Sequence, residues 1–415
     1  MLIGARRFCG PLTSTRIPPC VRQTLRARSR YEVQNNSYAR GLVTTLANDN
    51  VGNGPRLQYL SSDDALNERI EHDFAAWSET INLAAKLRTI RAARCQDGEA
   101  FVILAQNPAL ATPVKLDLQI IEAARVTSDP AVPLMYEDGS TPRICDGITY
   151  DRYGNPKSYR VAQGALASEI AAKNMIHVFR QERPEQLRGI PELSAALPLF
   201  AQLRRYTAAV LASAEKCAEF AAILYTDNPS EGQAAPIEAL DSFDIEYNKL
   251  TTMPEGWKMN ELYVKPPLAT YADFKRELIS EIGAAFGVPY AIAAGTSSGF
   301  TYASAKLDHE TYYRSITNER GFIEDAVLNR VFVRWLTEWR LANAISIEIC
   351  PWEHQWLWSN SGNLDRLTAA RVTAMSLKNN TTTLATEYAR QGKNWKTELA
   401  QIEKERKVLE RMGLV

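Results

Sequence analysis

The side chains from which a reaction centre could be built are few in this 415-residue chain: four histidines, six cysteines and a scatter of carboxylates. His72, His177, His309 and His354 show neither H-E-x-x-H nor any other zinc spacing. His177 alternates with apolar neighbours in Asn-Met-Ile-His-Val-Phe and reads as a structural histidine of a strand. Cys9, Cys20, Cys95, Cys145, Cys217 and Cys350 form no C-x-x-C pair, which points to reduced, buried thiols rather than a disulfide frame or zinc knuckle. There is no G-x-x-x-x-G-K-[ST] phosphate loop, no G-x-S-x-G nucleophile elbow and no dinucleotide fingerprint. No pair of carboxylates stands out from solvated helix faces, so acid–base catalysis has no visible home.

One stretch is unusual. Between Glu281 and Lys306 no residue carries a charge. It runs Gly287-Val288-Pro289-Tyr290, then Ala293-Ala294-Gly295-Thr296-Ser297-Ser298-Gly299-Phe300-Thr301-Tyr302. Residues 271–286 before it have helical spacing at Phe274, Leu278, Ile282 and Phe286. Residues 303–341 after it do the same at Leu307, Ile316, Ile323, Val327, Val331, Trp335 and Trp339. Gly287 fits a helix C-cap and Pro289 keeps the first helix from running on. A solvent linker would carry charge, so this loop is expected to face something or slide past something.

The rest of the chain must position that loop. Formal charge is zero and the length allows two or three domains. Neutrality argues against a broad electrostatic grip on nucleic acid. No apolar run is long enough to cross a bilayer, and Arg6, Arg7 and Pro11 spoil a signal-peptide core. Residues 1–29 are a basic arm, with no acid before Glu32, open to phosphate or an acidic partner. Helices are expected over 21–47 and from the Ser62-Asp63-Asp64 cap to about Cys95. Strands follow at 100–105, 116–121, 148–150, 158–161 and 174–179, a mostly antiparallel set. A long helix over 193–222, a small β-containing insertion over 223–266, a strand over 345–349 and three helices after Asn363 complete the reading.

Four stretches in this order resemble the lambda-type family of tailed-phage portal proteins. They are Leu25-Arg26-Ala27-Arg28-Ser29-Arg30 through Gly41 and on to Gln58; Ile176-His177-Val178-Phe179-Arg180 with Gln186-Leu187-Arg188-Gly189-Ile190-Pro191; residues 271–305; and Gly392-Lys393-Asn394-Trp395. Each is short; their order and spacing make the match specific.

The resemblance implies an α+β portal fold without catalytic activity or cofactor, forming a ring at one capsid vertex, typically of twelve copies. Double-stranded DNA would pass through it without sequence preference during packaging and ejection. The large terminase subunit, head-completion and connector proteins and the major capsid protein would be its partners. It further implies a wing over 30–190, stem helices over 191–222 and 267–286, and a clip over 223–266. A tunnel loop over 287–304, a long wing helix with its following strand over 305–361 and a helical crown over 362–415 would complete the subunit. Thr296, Ser297, Ser298, Gly299, Phe300, Thr301 and Tyr302 would line the channel. Tyr247, Lys249, Glu255, Trp257 and Lys258 would belong to the docking clip. The competing reading from another class is a Mg²⁺-dependent nucleic-acid-processing enzyme built on scattered Asp and Glu.

Overall fold

The computed structural model describes residues 18–127, 143–163, 166–184, 186–218, 222–225, 258–261, 268–296, 298–299, 301–345, 350–359 and 366–413. The chain divides into two compact units, one holding residues 198–279 and the other the remainder. Most of the insertion over 223–266, including Tyr247, Lys249, Glu255 and Trp257, lies outside the described residues, as do residues 346–349 of the expected strand.

The larger unit opens with α1 (Pro19–Asn35) and α2 (Ser37–Val51). The expected single helix over 21–47 is broken at Asn36, whose backbone is extended. Its side-chain oxygen accepts from the Tyr38 N–H at 3.0 Å, so an Asn that would interrupt a helix interior starts a new one instead. A second break splits the expected helix up to Cys95 into α3 (Asp64–Thr80) and α4 (Leu83–Asp97). Asn82 sits there at φ 54°, a left-handed conformation that Asn tolerates better than most residues. At the start of α3 the expected cap is present: Asp63 accepts from the N–H groups of Ala65 and Leu66 at 3.0 and 3.1 Å.

Strand β1 (Arg56–Tyr59) lies between α2 and α3 in the chain. Strands β2 (Glu99–Gln106) and β3 (Leu116–Ile121) follow α4. Then come β4 (Arg143–Cys145), β5 (Ile148–Tyr150), β6 (Pro156–Gln163), β7 (Leu166–Ala171) and β8 (Met175–Phe179). Every described pairing is antiparallel, in sheets ordered β3-β2-β8 and β4-β5-β6-β7. The unbroken apolar run of β2 has a direct cause. Ala100, Val102 and Leu104 join the main core with Trp77, Phe332, Trp335 and Trp339. Phe101 and Ile103, on the opposite face, join a second cluster with Tyr150, Tyr159 and Val161. A strand buried on both sides has no polar face to show.

The helix expected after the loop is α8 (Tyr302–Ile323), continued through a π-turn at Glu324–Leu328 into α9 (Asn329–Ala342). Two indoles from the segment after α9 tie down the π-turn and the first residue of α9: Trp358 donates to Glu324 at 2.5 Å and Trp356 to Asn329 at 2.9 Å. The smaller unit holds most of α5 (Leu197–Ala218) and α6 (Leu268–Ala285), with β9 (Ala222–Tyr225) paired to β10 (Lys258–Glu261). Within it Tyr206 stacks on Tyr271 and meets Phe274, fastening the two helices together. α7 (Tyr290–Ala294) lies between α6 and α8 in the chain. Strand β11 (His354–Leu357) pairs with β1, and α10 (Arg366–Lys378), α11 (Leu384–Arg390) and α12 (Trp395–Arg411) end the chain.

The expectation of uniformly buried thiols fails: Cys95 is buried, but Cys20 and Cys350 are exposed. Among the described residues no helix is long and apolar enough to cross a membrane.

Candidate channel segment and its anchorage

The charge-free stretch is two structures in series. Its first half is held by its own chain. α6 ends in a Schellman motif: the Val288 N–H donates to the Gly283 carbonyl at 2.9 Å and the Gly287 N–H to the Ala284 carbonyl at 3.1 Å. Pro289 then starts α7, which ends the same way, the Thr296 N–H donating to the Ala291 carbonyl at 3.0 Å. Both motifs need a residue in the left-handed region, and glycine supplies it, Gly287 at φ 64° and Gly295 at φ 65°. Val288 and Ala293 are buried and α7 packs on α2.

The second half is presented to solvent. Gly295, Thr296, Ser298, Gly299 and Thr301 are exposed. The Ser298 N–H donates to the Thr296 hydroxyl at 3.3 Å. Thr301 closes the segment by capping α8: its hydroxyl accepts from the Ser304 N–H and its carbonyl from the Ala305 N–H. Tyr302 is the first residue of α8, while Ser297 and Phe300 lie outside the described residues. What remains is a short rim of hydroxyls and backbone amides between two fixed helix ends. Such groups can hydrogen-bond a passing phosphate without neutralising it. Lys258 opens β10, and of the five expected clip residues it alone lies within the described residues.

The helices behind the rim are tied down by charge. Tyr312 on α8 donates to Asp49 at 2.9 Å, and Arg320 donates to the Asp49, Asn50 and Ser359 carbonyls. Arg320 thereby serves the orphan carbonyls at the C-terminus of α2. At the residue before Arg320, Glu319 of α8 is reached by Arg94 of α4, which also bonds Glu192 at 3.0 Å. Arg91 donates to the same Glu192 at 3.0 Å. Burial raises the Glu192 carboxyl, but the two guanidiniums outweigh it and hold it below the usual range. Glu192 opens a 3-10 turn, Glu192–Ala195, immediately before α5.

A second network is centred on Glu99. Glu99, fully buried at the start of β2, accepts from Arg26 at 3.0 Å and from Arg188 at 2.6 Å. It also meets His177 at 2.9 Å and accepts from the Gly189 N–H at 3.0 Å. Burial alone would raise the Glu99 carboxyl; Arg188 and His177 overcome it and hold it far below the usual carboxylate range. Arg188 extends the network to the carbonyls of Val126 and Asp146. Arg22 pairs with Asp146, and Arg30 grips Asp97 at 2.7 and 2.8 Å. Three arginines of the basic N-terminal run are therefore engaged by acids of the same chain. The sequence offered one hint, an acid bordering a wholly apolar strand, which demands a partner.

Two of the stretches that carry the resemblance thus converge on a single carboxylate: Arg26 from the first, His177 and Arg188-Gly189 from the second. The fourth stretch is likewise structural. Gly392, at φ 71°, lies so close to the Trp358 backbone that a Cβ would come within 2.8 Å, and Asn394 donates to Glu71 at 3.0 Å. Among the described residues no group of three or more His, Cys, Asp or Glu is placed to hold a metal ion.

The family model for "Phage portal protein, lambda family" matches residues 16–320 of the chain. The chain belongs to the lambda family of phage portal proteins. This portal protein is a structural ring component at a capsid vertex, and so a part of the virion. No curated protein matches its sequence. Among solved structures, the portal shares its fold with a chain in the neck of an empty gene transfer agent particle, solved with C6 symmetry. The TM-score is 0.55 at 14% identity, over 89% of this portal and 93% of that chain. A chain in the native particle's neck, solved with C12 symmetry, gives 0.48 at 13% identity over 90% and 94%.

Proposed function

We propose that the portal ring conducts double-stranded DNA, and that the exposed rim around Thr296–Tyr302 meets the duplex at the narrowest part of the lumen. The supporting observation is the rim itself: hydroxyls and amides without a charge, carried between helix ends that the same subunit holds rigidly. A channel that must let DNA slide cannot afford many Lys or Arg contacts, because each adds a salt-dependent grip. Hydroxyls touch the phosphates and let go.

On this reading α5 and α6 are the stem, residues 223–266 the clip, and the helices after residue 362 the crown. The large terminase subunit and the head-completion and connector proteins dock on the clip, with Tyr247, Lys249, Glu255, Trp257 and Lys258 at the contact. The major capsid protein surrounds the ring, which holds twelve copies and assembles in the host cytoplasm. The portal performs no chemistry of its own. Electron microscopy of rings assembled with a short duplex tests the proposal. Density for the duplex should run through a central lumen, with the 296–302 rim nearest to it. A lumen whose waist is lined by another segment would overturn the assignment. A Mg²⁺-dependent cleavage assay on plasmid DNA should show no turnover.

A further inference from the structure

The sheet β4-β5-β6-β7 ends in an open edge at β7. On β6, Arg160 donates its N–H to the Gly147 carbonyl at 2.8 Å, and the Ala162 carbonyl accepts from the Arg125 side chain at 2.9 Å. Both residues therefore point to the β5 side, where Val126 also bridges to Val161. In an antiparallel ladder inward and outward residues alternate, and directly opposed residues point the same way relative to the shared gap. Glu169 and Ala167, opposite Arg160 and Ala162, thus turn their N–H and C=O groups away from β6. Among the described residues these four groups meet no partner.

Natural sheet edges are blunted by Lys, Pro, a bulge or a covering element. In the three-stranded sheet both edge strands are attended by side chains: Trp77 donates to the Leu116 carbonyl of β3 at 2.8 Å, and Arg330 to the Met175 carbonyl of β8 at 3.0 Å. β7, Leu-Ala-Ser-Glu-Ile-Ala, carries no Lys, no Pro and no bulge, and no described element covers it.

We propose that β7 receives an extended segment of a different protein, added antiparallel as a fifth strand. The side chains define what fits. Leu166, 78% exposed, and Ile170, packed beside the Tyr159 and Val161 cluster, lie on one face; Ala167 and Glu169 lie on the other. The segment alternates apolar residues, which cover Leu166 and Ile170, with small or basic ones beside Ala167 and Glu169. A second copy of this chain fits less well. β7 against β7 would be a two-fold contact, whereas copies in a ring meet through two different surfaces. β4, the opposite edge of the same sheet, has only three residues.

A short peptide, acetyl-Val-Lys-Val-Thr-Val-Lys-Val with a C-terminal fluorophore, tests this by anisotropy against the full chain. Binding should saturate. Methylating the Lys and Thr amide nitrogens, which face β7 in this pairing, should weaken binding about tenfold or more, as a few lost hydrogen bonds imply. Methylating the Val nitrogens, which face away, should not. Ala167→Pro with Glu169→Pro removes two outward N–H groups and leaves the β6 ladder whole, so melting should hold while peptide binding is lost. Ser168→Pro, which strikes a ladder bond, should melt early. If the double variant also melts early, the methylated pair decides alone. Equal binding of the two methylated peptides, no binding of the unmethylated one, or undiminished binding to a stable double variant would overturn the proposal. So would slow amide exchange at Ala167 and Glu169 in rings without peptide, since another copy would then already hold the edge.

Discussion

The carbonyl of Gly283 accepts the N–H of Val288, and the two backbones are so close that a Cβ on Gly283 would stand 2.6 Å from the Val288 oxygen. That approach joins the end of α6 to the start of α7, and so sets where the exposed rim begins. Gly283→Ala should force the turn apart, at a cost of about 1–3 kcal/mol. Thermal melting of the variant should show the loss. Limited proteolysis should show new cutting between α6 and α8, while α3, β2 and α9 stay protected. Unchanged melting and protection would mean that the turn relaxes freely.

Arg94 links three elements, bonding Glu192 before α5 and Glu319 on α8 from its place on α4. Arg94→Ala would leave those carboxylates with Arg91 as their remaining guanidinium, a cost of about 3 kcal/mol or more. Arg94→Lys should recover little, since a single ammonium cannot reproduce the fork to two carboxylates. Urea titration of the three proteins checks this. Equal midpoints for Arg94→Lys and the unchanged protein would show that charge alone suffices.

The Glu99 network predicts an acid-sensitive wing. Glu99 is held below its unfolded value of about 4.3, so its stabilisation is present at neutral pH and fades as pH falls below about 5. Burial holds His177 below the ordinary imidazole value of about 6.5, so proton uptake by the unfolded chain begins to oppose folding below that pH. Both effects have the same sign, and the melting temperature should fall monotonically from pH 7 to pH 4. Glu99→Gln should cost about 3–5 kcal/mol at pH 7 and flatten the part of the slope below pH 5. A variant as stable as the unchanged protein at pH 7 would refute the role given to this carboxylate.

Local pattern made much of this legible, and the exceptions share a cause. β2 could be read because burial on both faces leaves only apolar residues from Ala100 to Ala105. The α3 cap could be read because Asp63 acts within three residues of itself. The breaks at Asn36 and Asn82 could not, because an Asn inside an apolar repeat fits a continuous helix until its own backbone conformation is known. Glu99 could not be assigned a role either: its partners lie 73 to 90 residues away in the chain, and nothing local marks them. The missing charge between Glu281 and Lys306 was plain to see. Its division was not, since Val288 and Ala293 are covered by their own subunit and the presented part begins at Gly295.

If the rim meets moving DNA, its neutrality is a functional requirement and can be broken without touching the fold. Ser298 is exposed, and its one noted bond uses its backbone N–H, which any residue retains. Replacing Ser297 and Ser298 together by Asp should leave melting within about 0.5 kcal/mol, as for other surface changes, and leave ring counts by microscopy unchanged. In a ring each copy adds two negative charges, and a duplex entering their midst meets like-charge repulsion in a confined, poorly screened space. Nuclease-protected DNA per particle should fall at least tenfold. Ser298→Lys should fail differently, by a grip that higher salt relieves, because each added cation releases counterions on contact. Normal DNA content with both variants would show that the duplex does not pass beside this segment.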